Sequence, residues 1–512
     1  MERRKFLELS ALSLSITACG GGSESTPPPA PMPEPTLPIV SIVPDSEWQN
    51  LANELTGELI LPSDSNKYGL ARLVFNVRFD DVYPEAIVRC INEKDIQHAI
   101  EFAKKHELPI VARCGSHGYT GNSTSKGIVI DVSELNSITV NEGTTTIGAG
   151  ARLVDVYDQL TAQDVAIPAG SCLTVGISGL TMGGGFGVVD RAYGLTCDNL
   201  LSAEIVTANG SLITCNKEEN ADLFWALCGG GGGNFGIVTS FTFKTHETSD
   251  ITVFEAFYSL SHLEEVMTQW QLLADIWPNE MWGQIVPSWM NSSRPTIQVR
   301  AFCLNPIEEA KIFWDDFIAQ IQPSPYNHTQ TTNSYRNTML GNCSNAVATC
   351  HLSNQVVNGR MSRSAFAASS DFFAQPIPPN GISALTDFIN DSISNNNLGM
   401  IIFNLLGGKI DDFTSEELAY PHREARISAE YYAPLSITTS NEAIDDTQVW
   451  QNSFRNVMAP WSTGGAYVNY LDPHIENWKY AYYGDNYSRL TQIKNKYDPE
   501  HLFKMQQGIE LS

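Results

Sequence analysis

Three glycine-dense stretches, Gly115 to Gly121, Gly176 to Gly187 and Gly229 to Gly236, lie close together in this chain and restrict what it can build. Glycine lets backbone N–H groups turn toward an anion with no Cβ in the way, so such loops can surround a phosphate with dipoles. Gly231, Gly233 and Gly236 also satisfy G-x-G-x-x-G. That motif holds a nicotinamide dinucleotide only when a strand precedes it and a helix N-terminus follows, because the helix end binds the pyrophosphate. Here the order is reversed: Glu218 to Leu227 predicts a helix and Ile237 to Phe243 a strand. A nicotinamide site is thereby excluded. The three loops together suggest a different dinucleotide, while any one alone reads equally well as a tight turn.

The surrounding patterns place these loops in an α+β domain. Asn92 followed by Asp95, Ile96, Ala99, Ile100 and Ala103 predicts a capped amphipathic helix ending before Pro109. Ile110 to Ala112 predicts a buried strand feeding the first loop. Ile128 to Val132, Thr144 to Ile147 and Val165 to Pro168 predict further strands, with a helix over Leu153 to Leu160. From about residue 249 to 440 glycine thins out. Runs such as Thr252 to Tyr258 and Thr296 to Phe302 predict a second domain there, an antiparallel sheet covered by helices. A tyrosine-rich segment, 441–512, returns to the first domain, which spans 48–248. At 512 residues, two domains are the natural expectation, and no repeat of solenoid length is visible.

The N-terminus reads as an address. Arg3-Arg4-x-Phe-Leu leads a short apolar stretch that ends at Ile16-Thr-Ala-Cys19, the form of a cleaved signal over residues 1–18. The basic string resembles a twin-arginine signal and the end resembles a lipobox, so Cys19 is the expected lipid-bearing residue of a periplasmic or cell-envelope lipoprotein. Residues 19–47, rich in proline, suit a tether. With 31 Lys plus Arg against 57 Asp plus Glu, the net charge of -26 disfavours nucleic acid and anionic membrane surfaces. The cysteines form no C-x-x-C pair and no metal site is expected. Cys343 and Cys350 could pair in an oxidising compartment; spacing leaves that open.

Several further segments, in order, carry a resemblance. They are Arg113-Cys-Gly-Ser-His117-Gly-Tyr-Thr-Gly121, Ala169-Gly-Ser-Cys172-Leu-Thr-Val-Gly176, Gly183-Gly-Gly-Phe-Gly187, Tyr193 to Ser202, Asp222-Leu-Phe-Trp225, Tyr482 to Asn486 and Tyr497 to Phe503. Together they resemble the berberine bridge enzyme-like flavoproteins of the vanillyl-alcohol oxidase superfamily. The fold this implies is a two-subdomain FAD-binding domain of PCMH type with a substrate domain beside it. The resemblance implies FAD held covalently at two carbons, by His117 on the 8α-methyl and Cys172 on C6. It also assigns Arg113, Gly115, Ser116, Gly118, Tyr119, Val175, Gly176, Gly179, Gly183, Gly184, Gly187, Asn234, Gly236, Ile237 and Tyr482 to the cofactor's surroundings. Cys114, Ser116 and Cys228 depart from the family's usual residues without touching the attachment positions.

By the same resemblance, Tyr467-Val-Asn469-Tyr470 supplies the base. Tyr470 is expected to take a hydroxyl proton while Tyr467 positions the substrate, provided nearby positive charge or hydrogen bonding lowers the phenol's pKa. The residue three after the flavin cysteine, Val175, is small enough to admit O2, which implies an oxidase that makes H2O2 from a small alcohol or sugar. The alternatives are oxidation or oxidative cyclisation of an amine or secondary metabolite, and a lipoprotein binding module without chemistry. A hydrolase is disfavoured, since neither G-x-S-x-G nor H-E-x-x-H occurs.

Overall fold

A computed structural model describes residues 43–304, 307–350, 363–435 and 441–512. The signal and the expected lipid site at Cys19 lie outside the described residues, as does most of the tether. Two helix-and-sheet assemblies share the described chain. The first begins with a four-stranded mixed sheet of β1 (Glu58–Ile60), β2 (Ala86–Arg89), β3 (Ile110–Arg113) and β4 (Ile128–Asp131), ordered β1-β2-β4-β3. β2 and β3 both run parallel to β4, and β1 is antiparallel to β2. The helix Glu93–Lys105 covers it, its N-terminus capped by the Asn92 side chain accepting from the Asp95 N–H at 3.0 Å. Its apolar stripe, Ile96, Ala99, Ile100 and Ala103, is buried as the spacing required.

Beside it stands a five-stranded antiparallel sheet of β5 (Ile138–Asn141), β6 (Thr144–Gly148), β8 (Leu200–Val206), β9 (Leu212–Asn216) and β10 (Ile237–Lys244), ordered β5-β6-β10-β8-β9. β7 (Val165–Ala166) pairs separately with β11 (His246–Glu247). The third glycine loop does follow a helix, Ala221–Leu227, and precede a strand, β10, so the reversal of the nicotinamide pattern stands in the structure.

The second assembly is a seven-stranded antiparallel sheet. In chain order its strands are β12 (Ile251–Ser259), β13 (Met281–Ser288), β14 (Thr296–Cys303), β15 (Asn327–Asn333), β16 (Ala365–Phe373), β17 (Met400–Leu405) and β18 (Ile427–Leu435). Their spatial order is β15-β12-β14-β13-β17-β18-β16. Successive strand residues point to opposite faces. Along β18, Ile427, Ala429 and Tyr431 enter a core built with the helices Leu263–Trp270, Pro379–Ser394 and Asn441–Met458. Ser428, Glu430 and Tyr432 therefore face the other way. On that side Tyr432 joins Phe75, Val286, Phe366, Met400 and Ile402 in a small apolar cluster against Tyr119 of the first glycine loop.

After the long helix Asn441–Met458 the chain crosses back to the first assembly. Lys494, fully buried, fixes it there: its ammonium donates to the carbonyls of Asn234 at 2.6 Å and Phe503 at 2.7 Å and pairs with Asp498 at 2.7 Å. The Asn234 side chain in turn accepts from the Ile509 N–H at 2.9 Å. Cys343 and Cys350 form a disulfide, the pairing that spacing alone left open. Among the described residues no His, Cys, Asp or Glu cluster is arranged to hold a metal ion, and no helix is long and apolar enough to cross a membrane.

Candidate active site

All three glycine loops line one long cleft between the first assembly and the sheet. At its root, β3 ends in Arg113 and β4 in Asp131, which their parallel register sets side by side. The guanidinium donates to the Asp131 carboxylate at 2.7 and 3.1 Å. Burial opposes that charge, but Arg113 and the hydrogen bonds from Ser133 hold the Asp131 carboxyl below the usual range. The third guanidinium nitrogen of Arg113 is buried without a protein partner while the residue lines the cleft, so it has a donor to spare for an anion.

The first two loops touch at Gly115. A Cβ there would sit 2.1 Å from the Gly176 nitrogen, so only glycine permits the approach. Ser116 takes φ +64°, a left-handed backbone that aims the next residue into the cleft. That residue is His117. Its Nε2 lies 2.7 Å from the Thr174 hydroxyl and its ring stacks on Phe75 at 4.0 Å. Burial pushes its pKa down to about 3, which leaves the imidazole neutral and nucleophilic. Thr174 belongs to a turn closed by the Val175 N–H donating to the Cys172 carbonyl at 3.0 Å. One four-residue turn therefore carries Cys172, the partner of His117, and Val175.

Behind the rings of Tyr119 and Tyr470, which line the cleft, lies Glu430, 3% exposed and not itself part of the lining. It accepts from the Tyr119 hydroxyl at 2.8 Å, and the Tyr470 phenol is its other polar neighbour. The rings of Tyr119 and Tyr470 stack at 5.0 Å. Burial raises the Glu430 carboxyl to about 7, even though both tyrosines pull it the other way. Tyr470 is pushed well above the ordinary phenol value by burial first and by the Glu430 charge second. The polar group beside Tyr470 is a carboxylate, which together with burial raises the phenol. Tyr467 accepts from the Gly185 N–H at 3.0 Å and from the Asn469 amide at 2.9 Å, so its hydroxyl ties the Tyr467–Tyr470 hook to the second glycine loop.

Of the residues singled out from sequence, Arg113, Gly115, Ser116, His117, Gly118, Tyr119, Cys172, Val175, Gly176, Gly179, Gly236, Ile237, Tyr467 and Tyr470 all line this cleft. Gly183, Gly184, Gly187, Asn234 and Tyr482 are not among its lining. A Cβ on Gly183 would strike the Asn469 amide at 2.2 Å, one on Gly184 the Tyr420 ring at 2.9 Å and one on Gly187 the Ala169 carbonyl at 1.9 Å, so these glycines admit protein rather than ligand. Asn234 anchors the returning chain, and the Tyr482 hydroxyl accepts from the Asp472 N–H at 2.8 Å. Glu430, Phe75, Phe366 and Tyr432 were not anticipated. The alternation of Ile427-Ser-Ala-Glu430-Tyr-Tyr432 is the one signal that a carboxylate sits on a half-buried strand face.

Residues 84–216 match a family described as an FAD binding domain, and residues 466–510 match one described as berberine and berberine like. The chain is similar to an uncharacterized FAD-linked oxidoreductase of Bacillus subtilis, YgaK, with 32% identity over 479 residues covering 89% of this chain and 97% of that one. It is similar to berberine bridge enzyme-like 3 of Arabidopsis thaliana at 28% identity, with 85% of each chain covered. The solved structure of Physcomitrella patens BBE-like 1 superposes with a TM-score of 0.82 at 28% identity, over 91% of this chain and 99% of the other.

Proposed function

The chain belongs to the berberine bridge enzyme-like FAD-linked oxidoreductases, and on that premise we propose that it is an exported oxidase of an alcohol or sugar carbon, holding FAD covalently through His117 and Cys172. The cleft fits that group. Its glycine loops bring backbone close on several sides, Arg113 offers a donor without a protein partner, and a neutral His117 shares the cleft with Cys172. When bound, the flavin supplies the hydride acceptor, and O2 takes the electrons onward to H2O2.

What the chain's own residues do is orient the substrate and take its hydroxyl proton. Glu430 is the acceptor the geometry favours, and Tyr470 passes the proton to it. A carboxyl near 7 is matched to that work at neutral pH, whereas a phenol raised by burial donates rather than accepts. The observation that carries the reading is that Tyr119 and Tyr470 line the same cleft as His117 and Cys172, with the Glu430 carboxylate held directly behind them by the Tyr119 hydroxyl. Val175 lines the same cleft, and the family resemblance supports reading it as the residue that admits O2. A second reading, oxidation of an amine or secondary metabolite, draws support from the aromatic wall of Phe75, Phe366 and Tyr432. The sequence features at Cys19 support a lipid-anchored, periplasmic location.

The test is acid precipitation of the purified protein. Flavin retained in the wild-type pellet and lost to the supernatant only when both His117→Ala and Cys172→Ala are present supports double attachment; flavin in the wild-type supernatant refutes it. A screen of alcohols, aldoses and amines for peroxide release then decides the substrate class.

A further inference from the structure

We propose that a second, smaller cavity behind the cleft is the path by which protons pass between the Glu430 cluster and solvent, with Asp472 and His474 as its outer relay. This rests on the reading of Glu430 as proton acceptor. A carboxyl that gains a proton when substrate is oxidised must give it up before the next turnover, and when O2 is reduced to H2O2 in a separate step an equal proton must come back, so both exchanges need a route; Glu430, 3% exposed, has almost no solvent contact of its own.

The second cavity, ≈ 110 Å³, has Tyr119 and Leu471 in common with the cleft, so the residue that hydrogen-bonds Glu430 is also part of its wall. Its other walls are polar in the right way: Arg78, Thr120, Gln448 and Asp472 line it. Two of these groups, the Thr120 hydroxyl and the Asp472 Oδ2, are buried with no protein partner. Buried polar atoms are rarely left unsatisfied, and a polar cavity of this size holds several waters that can serve them. The Arg78 guanidinium donates to the Phe366 carbonyl at 3.2 Å and faces the same space, a fixed positive charge that holds water and anion there. At the far end, Asp472 Oδ1 accepts from the His474 backbone N–H at 2.9 Å and lies 3.3 Å from its buried Nδ1, which makes no hydrogen bond until the ring, 32% exposed, turns toward the carboxylate.

Each hop conserves charge and needs no redox partner. Glu430 returns its proton to the Tyr119 oxygen as the hydroxyl proton of Tyr119 leaves for cavity water. That water protonates Asp472, and Asp472 hands the proton to His474 at the surface.

The test uses the holoprotein and no substrate. At about pH 6 Glu430 is largely protonated, and its neutral carboxyl has an infrared C=O stretch that shifts on deuteration. Loss of the band in Glu430→Gln assigns it, and rapid mixing with D2O times its exchange. Asp472→Asn keeps the turn in which Oδ1 accepts from the His474 N–H at 2.9 Å while removing the acid. Exchange about tenfold slower in Asp472→Asn, restored in Asp472→Glu, is expected. Wild-type exchange in a folded Asp472→Asn, or no Glu430 band at this pH, overturns the proposal. Should Asp472→Asn fail to fold, the surface variant His474→Gln carries the test, and unchanged exchange there overturns the relay. If Glu430 is not the acceptor, alcohol oxidation survives Glu430→Gln, an outcome distinct from any change in exchange.

Discussion

Replacing Glu430 by Gln should damage catalysis and improve stability at once, with pH dependences of opposite sense. Gln has the same shape and can still accept from the Tyr119 hydroxyl, now at 2.8 Å, so the tyrosine pair stays in place while the charge is lost. At pH 8 a carboxyl with a pKa near 7 is roughly nine-tenths ionised and ready to take a proton. Removing a positioned general base costs about 10² to 10⁴ in rate, or about 3 to 5 kcal/mol of barrier. Stability runs the other way. The carboxyl titrates at about 7 when folded against a model value of 4.5, so ionising it costs the native state about 3 kcal/mol. Because the folded pKa is the higher one, that cost is absent below 4.5, grows as pH rises toward 7 and is fully present above it. The assay is anaerobic stopped-flow bleaching of the flavin across pH, beside thermal unfolding at pH 5 and 8. Wild-type reduction should rise through about pH 7 and the variant should be slow and flat; the variant should melt higher only at the alkaline pH. A Glu430→Gln enzyme within about threefold of wild type, or one that keeps the rise, refutes Glu430 as the acceptor.

Tyr470→Phe removes a proton conduit but leaves Glu430, so flavin reduction should fall by about tenfold, less than in Glu430→Gln, with the pH profile preserved; an equal or larger loss would make Tyr470 the base. Gly115→Ala forces a Cβ to 2.1 Å from the Gly176 nitrogen, backbone against backbone, and should cost about 2 kcal/mol or more with loss of bound flavin, read by melting temperature and by the flavin-to-protein absorbance ratio. Val175→Leu should slow reoxidation by O2 by about tenfold while leaving reduction by substrate intact, which mixing the reduced enzyme with aerated buffer checks.

The loops that line the cleft were legible because their pattern is local. Arg113 to Gly121 and Cys172 to Gly176 each place their functional atoms within one loop, and the helix-before-strand order around Gly231 could be read from side-chain periodicity alone. Glu430 was illegible for the opposite reason. It meets Tyr119 across a separation of 311 residues, and only the register pairing it with Ser370 and Ile402 fixes which face it takes. Gly183, Gly184 and Gly187 misled because a missing Cβ looks the same in a sequence whether the visitor is a phosphate or a neighbouring chain. Asn234 and Tyr482 sit in a ligand-like context, yet their partners, Ile509 and Asp472, belong to the returning segment, whose docking no local pattern specifies.

That returning segment also sets a schedule. Tyr470 and the Lys494 anchor follow every strand of both assemblies in the chain, so on the ribosome the cleft stands open until they emerge. Tyr482, Tyr483, Leu490 and Ile493 of that segment belong to the first assembly's own buried core, so the core and the cleft are completed together, by the last residues made. A half-made enzyme, lacking Tyr470, has no means of turning over.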